Sequence, residues 1–298
     1  MKSDLKFLVP LSISVVLLNS LAIFVTISTR AERRKSTTLT LVSLMVSDIL
    51  VGAVVIPMRI IEILLLQSAA FPYIYAYILF VAVFNVAFLA WDRYASIARP
   101  LWRRQIGNGK MITILLMSWA VPALISFLPF CWTHSPRYQE TMKKIYRYFL
   151  VAILLTTVVT VVMLQLFVMH RLYIFWRSNK QGKQQVLTRA SKHGSADHSF
   201  KRKLTSTILV ISVTMSTVAT WLPTIILNFR PEWITTWVAK LSLYSFFINS
   251  LVDPSLILLF NFRLFMRARR QRGRKWWNTA RSNGFPQTEV IKLRSVSR

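Results

Sequence analysis

Seven long apolar stretches constrain this chain most, because each is long enough to cross a lipid bilayer as a helix. A bilayer's hydrocarbon core is about 30 Å thick, and about 20 apolar helical residues are needed to span it. Only segments that satisfy their own backbone hydrogen bonds are stable there. The stretches lie near residues 6–28, 38–66, 72–97, 111–130, 146–176, 204–228 and 237–260. The sequence therefore predicts an all-α membrane protein, with a seven-transmembrane helix bundle over residues 6–260.

The basic residues lie mostly on one side of this predicted bundle. The formal charge is +28, and the 38 Lys and Arg concentrate in 30–35, 99–110, 171–203 and the segment after 260. The positive-inside rule makes that side cytoplasmic, which leaves residues 1–5 as an extracellular N-terminus. Attraction to anionic lipids of the inner leaflet accounts for such charge without a nucleic-acid partner. We expect a multi-pass protein of the plasma membrane.

Three segments outside the spans also have predictable character. Residues 261–277 alternate Phe262 and Phe265 with arginines, a pattern typical of a short amphipathic helix on the membrane surface. Residues 278–298 are polar and are predicted to form a disordered cytoplasmic tail. The connection 177–203 is rich in Lys, Ser, Gly and Gln, and we expect it to be mobile.

Polar residues at membrane depth are the first candidates for function, because an ionisable group there is costly. Asp48 and Asp253 lie inside the second and seventh spans, and Asn19, Asn249 and Ser250 can complete a cluster with them. One interpretation is a hydrogen-bonded packing network. The other is a cation or proton site, with sodium at Asp48, because two close carboxylates disfavour double ionisation. We expect no other cofactor.

The third span ends in a sequence run that is distinctive by its spacing. Asp92, Arg93 and Tyr94 are followed by Ile97, Pro100 and Leu101. The tripeptide alone is also compatible with an ordinary ion pair at a helix end. In its context, the run resembles the end of helix three in the rhodopsin-like (class A) G-protein-coupled receptors. Further matches occur in the expected order at Asn19, Asp48, Trp119, Trp221-Leu222-Pro223, Asp253-Pro254, and Phe262 with Phe265.

The resemblance implies a receptor that binds an extracellular ligand within the bundle and activates a heterotrimeric G protein. Activation in that family moves helix six outward, and Pro223 removes a backbone hydrogen bond where such a hinge is needed. The residues implied in G-protein coupling are Asp92, Arg93, Tyr94, Leu101 and Lys203. Those implied in the conformational switch are Trp221, Pro223, Asp253 and Pro254, although Trp221 also suits plain core packing.

The ligand is not identified by the sequence. Tyr75 stands where amine receptors carry an aspartate, and Phe247 stands where retinal-binding receptors carry a lysine, so both ligand classes are disfavoured. The predicted pocket residues are Arg59, Glu62, Tyr75, Trp221, Thr224, Asn228, Leu243 and Phe247. A basic outer mouth at Arg59, Lys143, Lys144 and Arg147 suggests an anionic or lipid-like ligand, unless these side chains extend to the lipid headgroups.

The chain also departs from the family's common pattern. Ile257 and Met169 replace two tyrosines, Thr217 replaces a phenylalanine, and Lys203 replaces an acidic residue that usually restrains the helix-three arginine. The proline of helix five is missing. Together these departures predict raised basal activity or weak coupling. The missing proline, the Asp-Pro of helix seven and the run 169–174 resemble the melanocortin branch.

Other function classes remain as alternatives. Asp48 and Asp253 would also suit an ion path in a heptahelical transporter or channel subunit, and the departures would suit a receptor-like binding protein that does not couple. Enzymatic activity is not expected, because the four histidines have no metal-binding spacing and no nucleophile–base set is visible. Cys131 is the only cysteine, so no intrachain disulfide can form.

Overall fold

The seven predicted spans are all present as helices in the structure, a computed structural model. The described residues are 2–28, 36–65, 71–131, 139–186, 194–229 and 240–260. Within these ranges the chain is almost entirely helical and contains no strand. Seven helical segments are long and apolar enough to cross a membrane, which confirms the predicted fold class. The predicted amphipathic helix 261–277 and the tail 278–298 lie outside the described residues.

Nine α-helices form the described part of the chain. The first span is α1 (Lys2–Ser28), the second is α2 (Ser36–Leu50), a π-helical turn (Val51–Val55) and α3 (Ile56–Leu65), and the third is α4 (Phe71–Ala98). A short helix, α5 (Pro100–Gln105), precedes the fourth span, α6 (Asn108–Phe127), which ends in a 3-10 turn (Leu128–Cys131). The fifth span is α7 (Gln139–Val186), the sixth is α8 (Gly194–Phe229), and the seventh is α9 (Lys240–Phe260).

The chain divides into two compact units, residues 1–256 and 257–298. The first contains α1 to α8 and most of α9. The described part of the second is the last turn of α9.

The fifth and sixth helices continue further than the sequence predicts. Most of the predicted connection 177–203 is helical, because α7 reaches Val186 and α8 begins at Gly194. The expected mobility of this connection stays a prediction. Lys, Gln and Arg are good helix formers, and extending an existing helix costs far less than starting one. Lys203 therefore lies inside α8 rather than at its start.

The third span is the centre of the bundle. It packs against the second, fourth, fifth and sixth spans, and most of its residues are buried, including all of 78–83. The fourth and fifth spans leave large apolar side chains such as Leu124 and Met163 exposed. An apolar exterior of this extent suits contact with lipid rather than water.

Side-chain hydrogen bonds tie the second, third and fourth spans together. The Ser43 hydroxyl donates to Asn85 Oδ1 at 2.9 Å, and Trp119 Nε1 donates to Ser43 Oγ at 2.9 Å. Ser118 Oγ reaches the same Asn85 oxygen at 3.2 Å. Such contacts between spans contribute about 0.6 kcal/mol each on average, so this network aligns the helices more than it stabilises them. Trp119, a family match in the sequence, thus has a structural role.

A glycine allows the first and second spans to approach closely. Ser12 Oγ donates to the Gly52 carbonyl at 2.7 Å, within the π-helical turn. A Cβ at residue 52 would lie 2.9 Å from Val15 Cγ1 and 3.0 Å from the Ser12 carbonyl oxygen. Backbone cannot yield as a flexible side chain can, so this contact requires glycine.

Candidate functional site

Asp92 and Arg93 lie near the end of the third span, which we call the Asp92 end of the bundle. Asp92 is 1% exposed and Arg93 is 9% exposed, so both charges are buried. Arg93 Nη2 lies 4.0 Å from Asp92 Oδ2, beyond hydrogen-bond length. The expected pair is therefore present as an ion pair with a long separation.

A second arginine makes the closer contact with Asp92. Arg103 donates from Nε at 2.9 Å and from Nη2 at 2.7 Å, both to Asp92 Oδ1. Sequence reasoning missed Arg103, because it lies in a basic run that membrane charge already explained. Its position eleven residues after Asp92, beyond a proline, was the available signal.

Arg103 reaches Asp92 because α5 turns back toward the third span. Pro100 begins α5, which suits proline's fixed φ and its missing N–H at a first helical position. The N–H of Arg103 donates to the carbonyl of Arg99 at 2.9 Å, closing the short helix. Leu101, predicted to contact the G protein, is 75% exposed on this helix.

Aromatic contacts complete the Asp92 end. Tyr94 packs edge-on against Phe167 of the fifth span, with ring centroids 5.0 Å apart. The guanidinium of Arg171 lies over the Phe167 ring at 5.1 Å. Lys203, the remaining predicted coupling residue, has a side chain outside the described part of the chain.

The predicted ion cluster forms two linked groups rather than one. In the first, Asn19 Nδ2 donates to the carbonyls of Val15 and Ser250, each at 2.9 Å. Asp48 is fully enclosed, and the Ser250 hydroxyl lies beside it. Asp48 Oδ2 and Asn19 Oδ1 have no hydrogen-bond partner among the described residues.

Asp253 belongs to the second group and is directed toward the sixth span. Ser216 Oγ donates to Asp253 Oδ1 at 3.1 Å, and Thr217 Oγ1 lies 3.5 Å from Oδ2. Asn249 Nδ2 donates to Oδ2 at 3.2 Å and accepts from Thr220 at 3.1 Å through its own oxygen. We call these five residues the polar seam.

The seam includes residues that sequence reasoning did not assign to a site. Ser216 and Thr220 were missed, and Thr217 was recognised only as a departure from a phenylalanine. Hydroxyls inside a span usually bond to their own helix, as Thr217 also does with the Val213 carbonyl at 2.9 Å. Nothing in the sequence pattern distinguishes those that bridge to another span. The two groups meet on the seventh span, where Ser250 of the first group follows Asn249 of the second.

Trp221 and Pro223 occupy the sixth span beyond the seam. Trp221 is 3% exposed, and its Nε1 has no hydrogen-bond partner in the described ranges. It borders an apolar cavity of ≈ 10 Å³, about the least space that holds one water molecule. Val161 and Thr217, which stands where the resemblance places a phenylalanine, line the same cavity.

Several predicted pocket residues pack against aromatic neighbours. Tyr75 and Phe246 meet edge to face with centroids 5.3 Å apart, and Phe247 is 0% exposed. Leu243 packs on the same apolar core. Thr224 Oγ1 and Ser242 Oγ are 2.6 Å apart. The Asn228 side chain lies outside the described residues.

The expected basic mouth is partly neutralised. Arg59 forms an ion pair with Glu62, one helical turn away, and its guanidinium lies 5.9 Å from the centroid of Phe71. Lys143 and Arg147 remain exposed at the start of the fifth span. The expectation of an anionic ligand therefore depends on the fifth-span cations and not on Arg59.

Comparison with known families identifies the chain's class. The model of the family described as "7 transmembrane receptor (rhodopsin family)" matches residues 18–257, which covers the second to sixth spans completely, most of the seventh and part of the second half of the first. The chain belongs to this receptor family. Members are signalling receptors rather than enzymes, and this receptor is a multi-pass membrane protein. A search of curated protein sequences finds no match. The melanocortin-branch resemblance stays a prediction.

Proposed function

We propose that this receptor binds an extracellular ligand within the helical bundle and activates a heterotrimeric G protein. Opening of the Asp92 end, by outward movement of the sixth span, would expose Arg93 to the G protein. The buried Arg93, held by a carboxylate at long separation, is the observation that carries the proposal. A buried charge whose contact with the neighbouring carboxylate is this long can gain a closer partner when a cleft opens.

Purified receptor in nanodiscs, mixed with representatives of each G-protein class, tests this function. We expect accelerated nucleotide exchange on at least one class, and we expect Arg93→Ala to reduce it about 100-fold. Arg99→Ala is the matched control, because Arg99 is an exposed cation six residues further along the chain. Exchange that survives Arg93→Ala would contradict the mechanism. Ion flux through the same receptor in sealed vesicles would instead favour the transporter alternative.

We place the receptor in the plasma membrane, with the Asp92 end facing the cytoplasm. This orientation is supported by the basic segments on that side, which include Arg99 and Lys110. Anionic lipids of the inner leaflet would bind these cations. An epitope tag at the N-terminus, stained on intact cells, tests the orientation. Staining only after permeabilisation would reverse it.

We further propose that the Asp48 group binds sodium. Sodium, like other hard cations, prefers oxygen ligands, and Asp48 Oδ2 and Asn19 Oδ1 are buried oxygens without hydrogen bonds from other described residues. Asp48 and Asn19, with the nearby Ser250 hydroxyl, would hold the ion. The bound cation would supply positive charge that offsets the buried Asp48 carboxylate.

If sodium binds here, the thermal stability of the receptor should depend on sodium in particular and not on ionic strength alone. Replacing sodium by the bulky cation N-methylglucamine should lower the melting temperature of the purified receptor, and Asp48→Asn should remove that difference. Asp92→Asn is the control carboxylate substitution and should leave the difference in place. An equal sodium effect in the Asp48 variant would leave this group as a packing network.

The ligand would enter from the extracellular end between the third, fifth, sixth and seventh spans. The aromatic contacts of Tyr75 and Phe246 there favour a largely apolar ligand, whose binding would rearrange rings that now pack on each other. Lys143 and Arg147 would attract a negative group at the rim. Screening neutral and anionic lipids in the exchange assay tests both features.

A further inference from the structure

Asp92 is contacted by two arginines, and Arg103 lies outside the residues to which the proposed function gives a role. The Arg103 guanidinium makes two hydrogen bonds to Oδ1, whereas Arg93 lies 4.0 Å from Oδ2. A carboxylate oxygen with two charge-assisted bonds has its geometry fixed by that partner. Arg103 therefore determines how Asp92 is oriented toward Arg93.

Repulsion between the two arginines also favours separation of Arg93 from Asp92. Arg93 and Arg103 are both positively charged and both within 4.0 Å of one largely buried carboxylate. Like charges at such separations repel, and partial burial limits screening by salt. Of these two arginines, Arg93 has the longer contact with Asp92, so this carboxylate holds Arg93 less tightly than it holds Arg103.

We propose that Arg103 is a positioning residue that competes with Arg93 for Asp92 and thereby raises the receptor's basal activity. This inference rests on the proposed function, in which Arg93 must leave Asp92 to engage the G protein. Arg103 lowers the cost of that departure, because Asp92 keeps a cationic partner after Arg93 has gone. Removing one partner of a buried ion pair is otherwise strongly unfavourable.

The same contact holds α5 against the third span. A helix of six residues is not stable alone, so α5 depends on its contacts. Arg103 supplies the polar contact, and Trp102 meets Trp91 edge to face at 5.8 Å. Leu101 is thereby presented outward. Any test must therefore separate competition for Asp92 from simple support of α5.

Basal nucleotide exchange of single and double variants separates the two roles. Arg103→Ala leaves Arg93 as the cation of Asp92, and we expect basal exchange to fall about fivefold. Asp92→Asn with Arg103→Ala removes the restraint itself, and exchange should return at least to the wild-type rate. Arg103→Lys keeps the positive charge but lacks the paired donors of the guanidinium, so its basal exchange rate should lie between those of Arg103→Ala and the wild type. Arg99→Ala should change nothing.

Two results would overturn the proposal. Arg103→Ala with unchanged basal exchange would mean that Arg103 does not compete. A double variant as slow as Arg103→Ala alone would mean that Arg103 acts only by supporting α5.

A receptor-only measurement keeps this test independent of the G protein. Gln105→Cys in a Cys131→Ser background carries one spin label at the end of α5. Arg103→Ala and Asp92→Asn should each make the label more mobile, whereas Arg99→Ala should not. A label unaffected by both variants would overturn the Arg103–Asp92 contact itself. If wild-type receptor activated no G protein while the label responded as expected, the proposed function would fail and the contact would stand.

Discussion

Two buried carboxylates of this receptor are held in different ways. Asp253, in the polar seam, accepts hydrogen bonds from neutral hydroxyl and amide groups, two of them on the sixth span. Asp92 is held by two arginines, one of them on a short helix outside the spans. Neutral donors hold an acceptor at a fixed position, whereas two cations that compete for one carboxylate can replace each other as its partner. The seam therefore suits a restraint on the sixth span, and the Asp92 end suits a switch.

This difference locates where movement is restrained. The sixth span is hydrogen-bonded to the seventh through Ser216 and Thr220, and to the fifth through Thr214, whose hydroxyl receives Gln165 Nε2 at 2.7 Å. When the sixth span moves outward at the Asp92 end, these hydrogen bonds must either break or act as the pivot of that movement. The following substitutions test how much each of these hydrogen bonds restrains the sixth span.

Asp253→Ala should have the largest effect. It leaves Ser216, Thr217 and Asn249 without their shared acceptor, and interhelical bonds contribute about 0.6 kcal/mol each, so the receptor should lose about 1–2 kcal/mol of stability. Basal exchange should rise about tenfold as the sixth span is released. Thermal melting and nucleotide exchange measure both. Ser255→Ala, an exposed position on the same helix, is the control. A variant that melts lower without gaining activity would make the seam purely structural.

Gln165→Met should have an intermediate effect. It keeps the volume but removes the hydrogen bond to Thr214, at a cost of about 0.6 kcal/mol, and basal exchange should rise about twofold to threefold. Leu166→Met, on the exposed face of the same helix, should match wild type in both assays. If Gln165→Met exceeded Asp253→Ala, the main restraint would lie on the fifth span rather than the seventh.

Thr217→Val should have the smallest effect. Its hydroxyl lies 3.5 Å from Asp253, a weak hydrogen bond, so the loss should be below about 0.5 kcal/mol. Ser216→Ala removes the 3.1 Å bond and should cost more. Thermal melting of the two variants side by side decides the order. If Thr217→Val melted at a lower temperature than Ser216→Ala, Thr217 would be the more important hydrogen-bond donor to Asp253.

The fold was predictable because bilayer thickness sets the length of an apolar helix. All seven spans followed from that rule, and the Asp92-Arg93-Tyr94 run predicted the receptor class that the family comparison confirms. The ends of the fifth and sixth helices were not predictable in the same way. Beyond the membrane, polar residues with good helix propensity suit either a loop or a helical extension.

The partners of the candidate site residues were less predictable, because they depend on which side chains meet across helices. Asp48 and Asp253 were expected in one cluster, yet the bonds of Asp253 go to the sixth span. Arg103 and Ser216 have no distinctive sequence context. A basic residue beside the membrane and a serine within a span are both common, and only tertiary packing distinguishes the two that bond to carboxylates.

The distance between α5, which directly follows the third span, and the sixth span tests the central claim most directly. Spin labels at Gln105→Cys and at Ile208→Cys, an exposed position on the sixth span, would be measured by pulsed electron resonance in a Cys131→Ser background. The account predicts that the distance increases by several ångström when a G protein that the receptor activates is bound, and that Asp253→Ala shifts the free receptor the same way. An unchanged distance in both cases would contradict outward movement of the sixth span.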